Sequence, residues 1–213
     1  MQVADARLRN ISVVVVADTY HPDMIYKNLV NGGIMPDRSE IVQSSQVPGE
    51  CDVKYRGGIH IAVNKQRFII GNDYNELFKE YMNDEVYTLA AEFVKTYSDV
   101  SYRAIGLNCT ISLQHDDPLR WMTQKFLKTN TPSENTLMAP RFLIKTDDAE
   151  LTLAFIPVEV MDQGQLKPFV VIECNHHHGG PFTADNDILR IVTGWRDTKD
   201  IILSRLGEWL ELG

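Results

Sequence analysis

Basic residues are scarce in this chain of 213 amino acids: 21 Lys and Arg stand against 29 Asp and Glu, a formal charge of −8. Gripping a nucleic-acid backbone takes a basic stripe, and no segment supplies one. The densest basic stretch, Arg120 to Lys128, is a mixed amphipathic run. Cysteine is scarce too. Cys51, Cys109 and Cys174 are widely spaced and odd in number, which makes neither a disulfide framework nor a CxxC pattern. Thiols in a reducing, cytoplasmic compartment are the expectation. No apolar run approaches the ~20 residues of a membrane-spanning helix, and Val13 to Ala17 is too short for a secretory signal. Neither GxxxxGK nor GxGxxG occurs, so the paired glycines at 32–33, 57–58 and 179–180 read as turn residues, not phosphate loops.

What the chain does have is pattern. With 44% hydrophobic residues over this length it can bury a core without disulfide or metal support. Ile11 to Ala17 is a continuous β-branched run, the signature of a strand covered on both faces. His21-Pro22-Asp23 starts a helix with Ile25 and Leu29 on its apolar face, ended by Gly32-Gly33. Pro36 to Glu50 is polar and loop-like, with a short strand near Ile41-Val42. Gly57 to Ile70 reads as a hairpin turning at Asn64-Lys65, and Asn72 to Asp84 as a partly helical connection. Val86, Leu89, Ala90, Phe93 and Tyr97 fall at helical spacing. The strand that follows, Tyr102 to Leu113, sets Ile105, Leu107, Cys109, Ile111 and Leu113 against Ala104, Gly106, Asn108, Thr110 and Ser112.

Asp116-Asp117-Pro118 opens a short helix to about Lys128, and 128–139 is a proline-flanked loop. Phe142 to Ile144 and Leu151 to Ile156 make a second hairpin, and Phe169 to Cys174 a further strand. One long helix is expected from Thr183 or Asp185 to the C-terminus, with Gly194 and Gly207 each costing it ~1 kcal/mol. The predicted fold is one α+β domain over 1–213: a mainly antiparallel sheet with helices on one face. Segments 1–127 and 140–213 form two similar sheet-and-helix halves sharing a core, joined by loop 128–139.

The conspicuous chemical cluster is Glu173-Cys174-Asn175-His176-His177-His178-Gly179-Gly180. If the strand continues through it, Cys174, His176 and His178 share a face and form a candidate metal set, zinc being the metal such ligands suit. A further ligand would have to come from His60 or from His115 with Asp116 and Asp117. The bland alternative is a polar strand end. Glu173 is a candidate acid or base if buried, and an ordinary strand-end acid if not. Asp116-Asp117 and Asp147-Asp148 are explained by turn chemistry. His178-Gly179-Gly180-Pro181 looks like the oxyanion loop of α/β-hydrolases, but only Ser204 and no histidine follows it, so that constellation cannot be completed. Trp121, Trp195 and Trp209 sit on helical stripes, with Trp209-Leu210 a candidate self-association surface.

Val47-Pro48-Gly49 leading into Tyr55-Arg56-Gly57-Gly58-Ile59-His60-Ile61 carries a resemblance. So does the helix near Leu89 to Tyr97 running into Tyr102-Arg103-Ala104-Ile105-Gly106-Leu107-Asn108, with a late strand and a terminal helix after it. In these the chain resembles an uncharacterised group of bacterial conserved-hypothetical proteins. The resemblance implies a bacterial origin and an α+β fold, and carries no catalytic residues across. With no complete catalytic constellation, the leading functional reading is a non-enzymatic, soluble interaction or assembly protein that self-associates as a homodimer. The alternative is a metal-binding protein or metal-dependent enzyme using Cys174, His176 and His178. A small-molecule-binding module with a pocket between sheet and helices is a third.

Overall fold

Alternation along each strand decides the architecture of the computed structural model, which describes residues 5–31, 40–127, 138–146, 148–162, 165–182 and 187–210. Strand β1 (Arg7–Ala17) buries Leu8, Ile11, Val13, Val15 and Ala17 on one face. Its other face, with Ser12, Val14 and Val16, is only half-buried. The expectation of cover on both faces is therefore corrected. Val14 and Val16 are sheltered by neighbours within the sheet, Ile69 and Gly106 beside the first and Arg67 and Ala104 beside the second.

Eight further strands complete the sheet: β2 (Ile41–Val47), β3 (Glu50–Tyr55), β4 (His60–Asn64), β5 (Arg67–Leu77), β6 (Tyr102–Gln114), β7 (Arg141–Lys145), β8 (Glu150–Asp162) and β9 (Gln165–Phe182). Among the described residues they lie in the order β2-β3-β4-β5-β1-β6-β9-β8-β7. Every neighbouring pair is antiparallel. The hairpin at Asn64 and the long alternating strand β6 follow their sequence patterns. In the polar stretch before Glu50 the short strand expected near Ile41-Val42 is present but longer: it is β2, joined to β3 through Pro48-Gly49. Proline presets φ at the first turn position and Gly49 takes φ +85° at the second, a pairing that suits a tight type II turn. Likewise β5 runs on to Leu77 where a partly helical link was expected.

Helix α1 (Pro22–Val30) buries Ile25 and Leu29, and the Tyr55 hydroxyl of β3 donates to the Leu29 carbonyl. Helix α2 (Glu85–Thr96) buries Val86, Ala90 and Phe93, as the helical spacing predicts. The short α3 (Pro118–Met122) is capped by the Asp117 carboxylate, which accepts from the Arg120 N–H at 3.0 Å, and a π-type turn (Thr123–Leu127) follows. The single terminal helix is corrected to two, α4 (Asp187–Thr193) and α5 (Trp195–Leu210), broken at Gly194. A Cβ there would stand 2.9 Å from the Arg190 carbonyl oxygen, so only glycine permits this approach. The loop expected at 128–139 lies outside the described residues over 128–137.

All these helices cover one face of the sheet. Trp195 stacks on Tyr87 at 4.7 Å, and Trp209 packs against Phe142 at 4.5 Å and Phe155 at 6.0 Å. Residues from both ends of the chain enter one hydrophobic core, where each fully buried Leu, Ile or Phe contributes about 1.5–3 kcal/mol. Leu210 is buried in that core and Trp209 is half-buried against it. Among the described residues no helix is long and apolar enough to cross a membrane.

Candidate functional site

Strand β9 does run through the histidines, so their alternation becomes a division between two environments. Cys174, His176 and His178 point to the helix-covered face and are buried, while Glu173, Asn175 and His177 are exposed on the other. His176 sits between Leu107 of β6 and Leu151 of β8, and His178 opposite Ile105. The two imidazoles are 6% and 8% exposed, with ring centres 4.4 Å apart. Nδ1 of His176 shares a 2.8 Å hydrogen bond with the Thr198 hydroxyl of α5. Neither Nε2 atom has a hydrogen-bond partner among the described residues.

Burial disfavours the charged form and holds both imidazoles below their ordinary range. For His178, burial first and then His176 push the value down to about 4, against an opposing pull from Asp148. For His176, burial outweighs the same carboxylate. The pair is neutral at pH 7, with two basic nitrogens enclosed between sheet and helices.

Cys174 faces Cys109 directly across the β6–β9 ladder, and both thiols are free. Burial, then a hydrogen bond with Cys109, lifts the Cys174 thiol well above its usual range. Burial pushes Cys51 up to about 11. Because the thiolate is the nucleophile, the folded protein should react with a thiol reagent such as Ellman's far more slowly than the same protein in denaturant. In denaturant all three thiols should appear. Rapid stoichiometric release from the native state would count against this burial.

The candidate metal set shares a face as expected, but the structure joins only part of it. His176 and His178 lie side by side, whereas Cys174 is engaged with Cys109. His60 is on the opposite face of the sheet. His115 follows β6, eight residues beyond Leu107 and so about 26 Å along the strand. Among the described residues no group of three or more His, Cys, Asp and Glu stands together in a way that could hold a metal ion. Glu173 is exposed, and it lies in the middle of β9 on the uncovered face, not at a strand end. Asp147 lies outside the described residues, and Asp148 approaches Arg190 at 3.9 Å.

The sequence pattern of β6 foretells a more polar uncovered face, but not the hollows on it. A polar row crosses four strands there, from Ser12 through Asn108 and Asn175 to Thr152, with Gly71 beside Ser12 and the two asparagine amides hydrogen-bonded to each other. On one side of the row, His60 Nε2 lies 2.6 Å from Asp52 in a hollow of about 450 Å³ that also takes in Lys54 and Asp73. On the other side a groove of about 890 Å³ runs between the start of β1 and the far end of the β8–β9 hairpin, with Arg7 and Arg9 on its rim. The missed signal was the polar run Arg7, Arg9, Asn10 and Ser12 leading into the apolar core of β1. Compared with protein-family models and with curated proteins, the chain matches none of them.

Proposed function

We propose that this protein is a non-enzymatic interaction module that self-associates as a homodimer through the β2 edge of its sheet. The carrying observation is the character of that edge. A free edge presents unpaired N–H and C=O groups, and proteins that stay monomeric blunt it with charge, proline or brevity. β2 has seven residues, Ile41-Val-Gln-Ser-Ser-Gln-Val47, none charged and none proline, and all but Ile41 are exposed. The opposite edge, β7, has five residues with Arg141 and Lys145 at its ends. β2 is also held in place for docking: Gln46 donates to Asp23 of α1 at 2.8 Å, and Tyr26 donates to Ser44 at 3.3 Å.

Antiparallel pairing of two identical edges puts the two-fold axis normal to the sheet, so facing residues must share a face and the axis must pass through a residue. Centred on Ser45, the register sets Ser44 against Gln46 and Gln43 against Val47, with no like charges opposed. The uncovered faces of both copies then lie on the same side. Segments 1–127 and 140–213 act in this reading as two sheet-and-helix halves sharing one core, supported by the β6–β9 pairing that joins them. The three free cysteines support a reducing, cytoplasmic setting.

Light scattering on a size-exclusion column tests the dimer. Wild type should run at twice the 24.3 kDa chain mass. Ser45→Lys, a charge placed on an exposed edge position, should return it to the monomer without loss of fold. A wild type that stays at one chain mass up to high protein concentration would sink the reading.

A further inference from the structure

We propose that the groove between the start of β1 and the β8–β9 hairpin binds a small anionic amphiphile, a carboxylate on an aliphatic chain of medium length. The charge argument begins with Arg9. Its Nε donates to Ser112 Oγ at 2.6 Å and its Nη1 to Asn75 Oδ1 at 2.6 Å. Its guanidinium carbon lies 5.8 Å from the centre of the Phe169 ring. Held on three sides, the guanidinium is pre-organised. Of its five N–H donors these bonds use two, leaving three directed at no acceptor among the described residues. Arg7 beside it makes one long bond, 3.4 Å, to the Asn75 carbonyl. Neither arginine has a carboxylate partner among the described residues. Among the described residues Asp5 is the one carboxylate lining the groove against these two cations, so in a chain of formal charge −8 this is a locally positive spot.

The apolar argument concerns the rest of the lining. From the arginines the floor passes over Val171 and Phe169 to Val160 on the hairpin. Val160 shares their face of the sheet by alternation and is 44% exposed, apolar surface left in water that a hydrocarbon chain would cover. The Arg9 guanidinium lies 5.8 Å from the Phe169 ring, and Val160 is one strand across and two residues along from Phe169, about 8 Å more, a distance that a chain of about ten carbons spans. Head group and tail thus have separate places: the charged end at Arg7 and Arg9, the chain toward Val160. The volume, about 890 Å³, is within the range of small-molecule sites.

Decanoate is the probe, measured by isothermal titration calorimetry on the full chain, with decanol and acetate as controls for chain and charge alone. Saturable binding of one decanoate per chain is expected. Arg9→Gln should weaken it about tenfold or more, the size of one lost charge-assisted contact. Val160→Asp, at an exposed position on the groove's face of the sheet, should weaken it as much and carries the test if Arg9→Gln is unstable. Decanol and acetate should each bind at least about tenfold more weakly than decanoate. Three outcomes overturn the proposal: no saturable binding, decanol binding as well as decanoate, or Val160→Asp binding like wild type. The dimer is tested separately, because Ser45→Lys lies at the other end of the sheet and should leave decanoate binding unchanged.

Discussion

Acidifying the protein from pH 7 to pH 4.5 should destabilise it through His178 and His176, by more than its surface carboxylates explain. The unfolded imidazole takes up its proton near pH 6.5, whereas folded His178 resists until about pH 4. Between these values the unfolded state binds more protons, so stability is full above the unfolded value and falls as pH drops through the window. One proton of difference is worth about 1.4 kcal/mol per pH unit, or about 3 kcal/mol for His178 over the whole window. His176 adds in the same direction. The groups facing the pair are Thr198 from α5, Asp148 and Arg190 at its margin, and His177 next in sequence. Urea midpoints for wild type and His178→Leu at pH 7 and pH 4.5 isolate the effect, since carboxylate titration is common to both. The leucine variant should be close to wild type at pH 7, because it replaces a buried imidazole with an unpartnered nitrogen. It should be clearly more stable than wild type at pH 4.5. Equal losses in the two proteins would refute the assignment.

Phe93→Ala should be the most damaging single truncation in the first half of the chain. Phe93 is fully buried on α2, stacked on Phe68 of β5 and packed against Tyr20 at 5.7 Å and Tyr97 at 4.7 Å. It pins the helix to the sheet where β1 and β5 meet. Removing a buried aromatic costs about 3–5 kcal/mol, the lost transfer energy plus the cavity left behind. For a chain of this size that is roughly 6–20 °C in melting temperature. Met24→Ala, on the exposed side of α1, is the control and should shift stability by no more than about 0.5 kcal/mol. A Phe93→Ala protein that melts with wild type would mean α2 does not pack as described.

Elements with one clean period were legible in the sequence. β6 alternates over its whole length because one face meets helices and the other meets water, and α2 repeats at helical spacing for the same reason. Only the start of β2, at Ile41-Val42, was legible, because the strand buries almost nothing: its exposed run of Gln and Ser carries no hydrophobic period and looks like a loop. The break at Gly194 was hidden by apolar residues continuing on both sides of it, so the stripe looks unbroken although the axis is not. The His176–His178 pair was located correctly, and its burial was not foreseen, because nothing local says that Thr198, twenty-two residues on, returns to cover it. The arginine groove was invisible for a similar reason. Arg7 and Arg9 become a site only when β1 is set beside β6 and β9, far along the chain.

The order of pairing also bears on how the chain can be made. β1 finds β5 and then β6 among residues that follow it, but the outer edge of β6 waits for β9, which starts about fifty residues after β6 ends. At a ribosomal rate of about 5–20 residues per second that gap lasts roughly 3–10 s. For those seconds a thirteen-residue strand rich in Ile and Leu is half-paired, the most aggregation-exposed moment of synthesis. The pairing of β9 ends it, and the cover of α5 follows: Trp195 and Arg196 reach back to Asp84, and Lys199 to the carbonyls of Lys79 and Tyr81, across 111 to 120 residues. α5 is thus the latch of the nascent chain, and a ribosome stalled before it would leave a sheet with its greasy face still open.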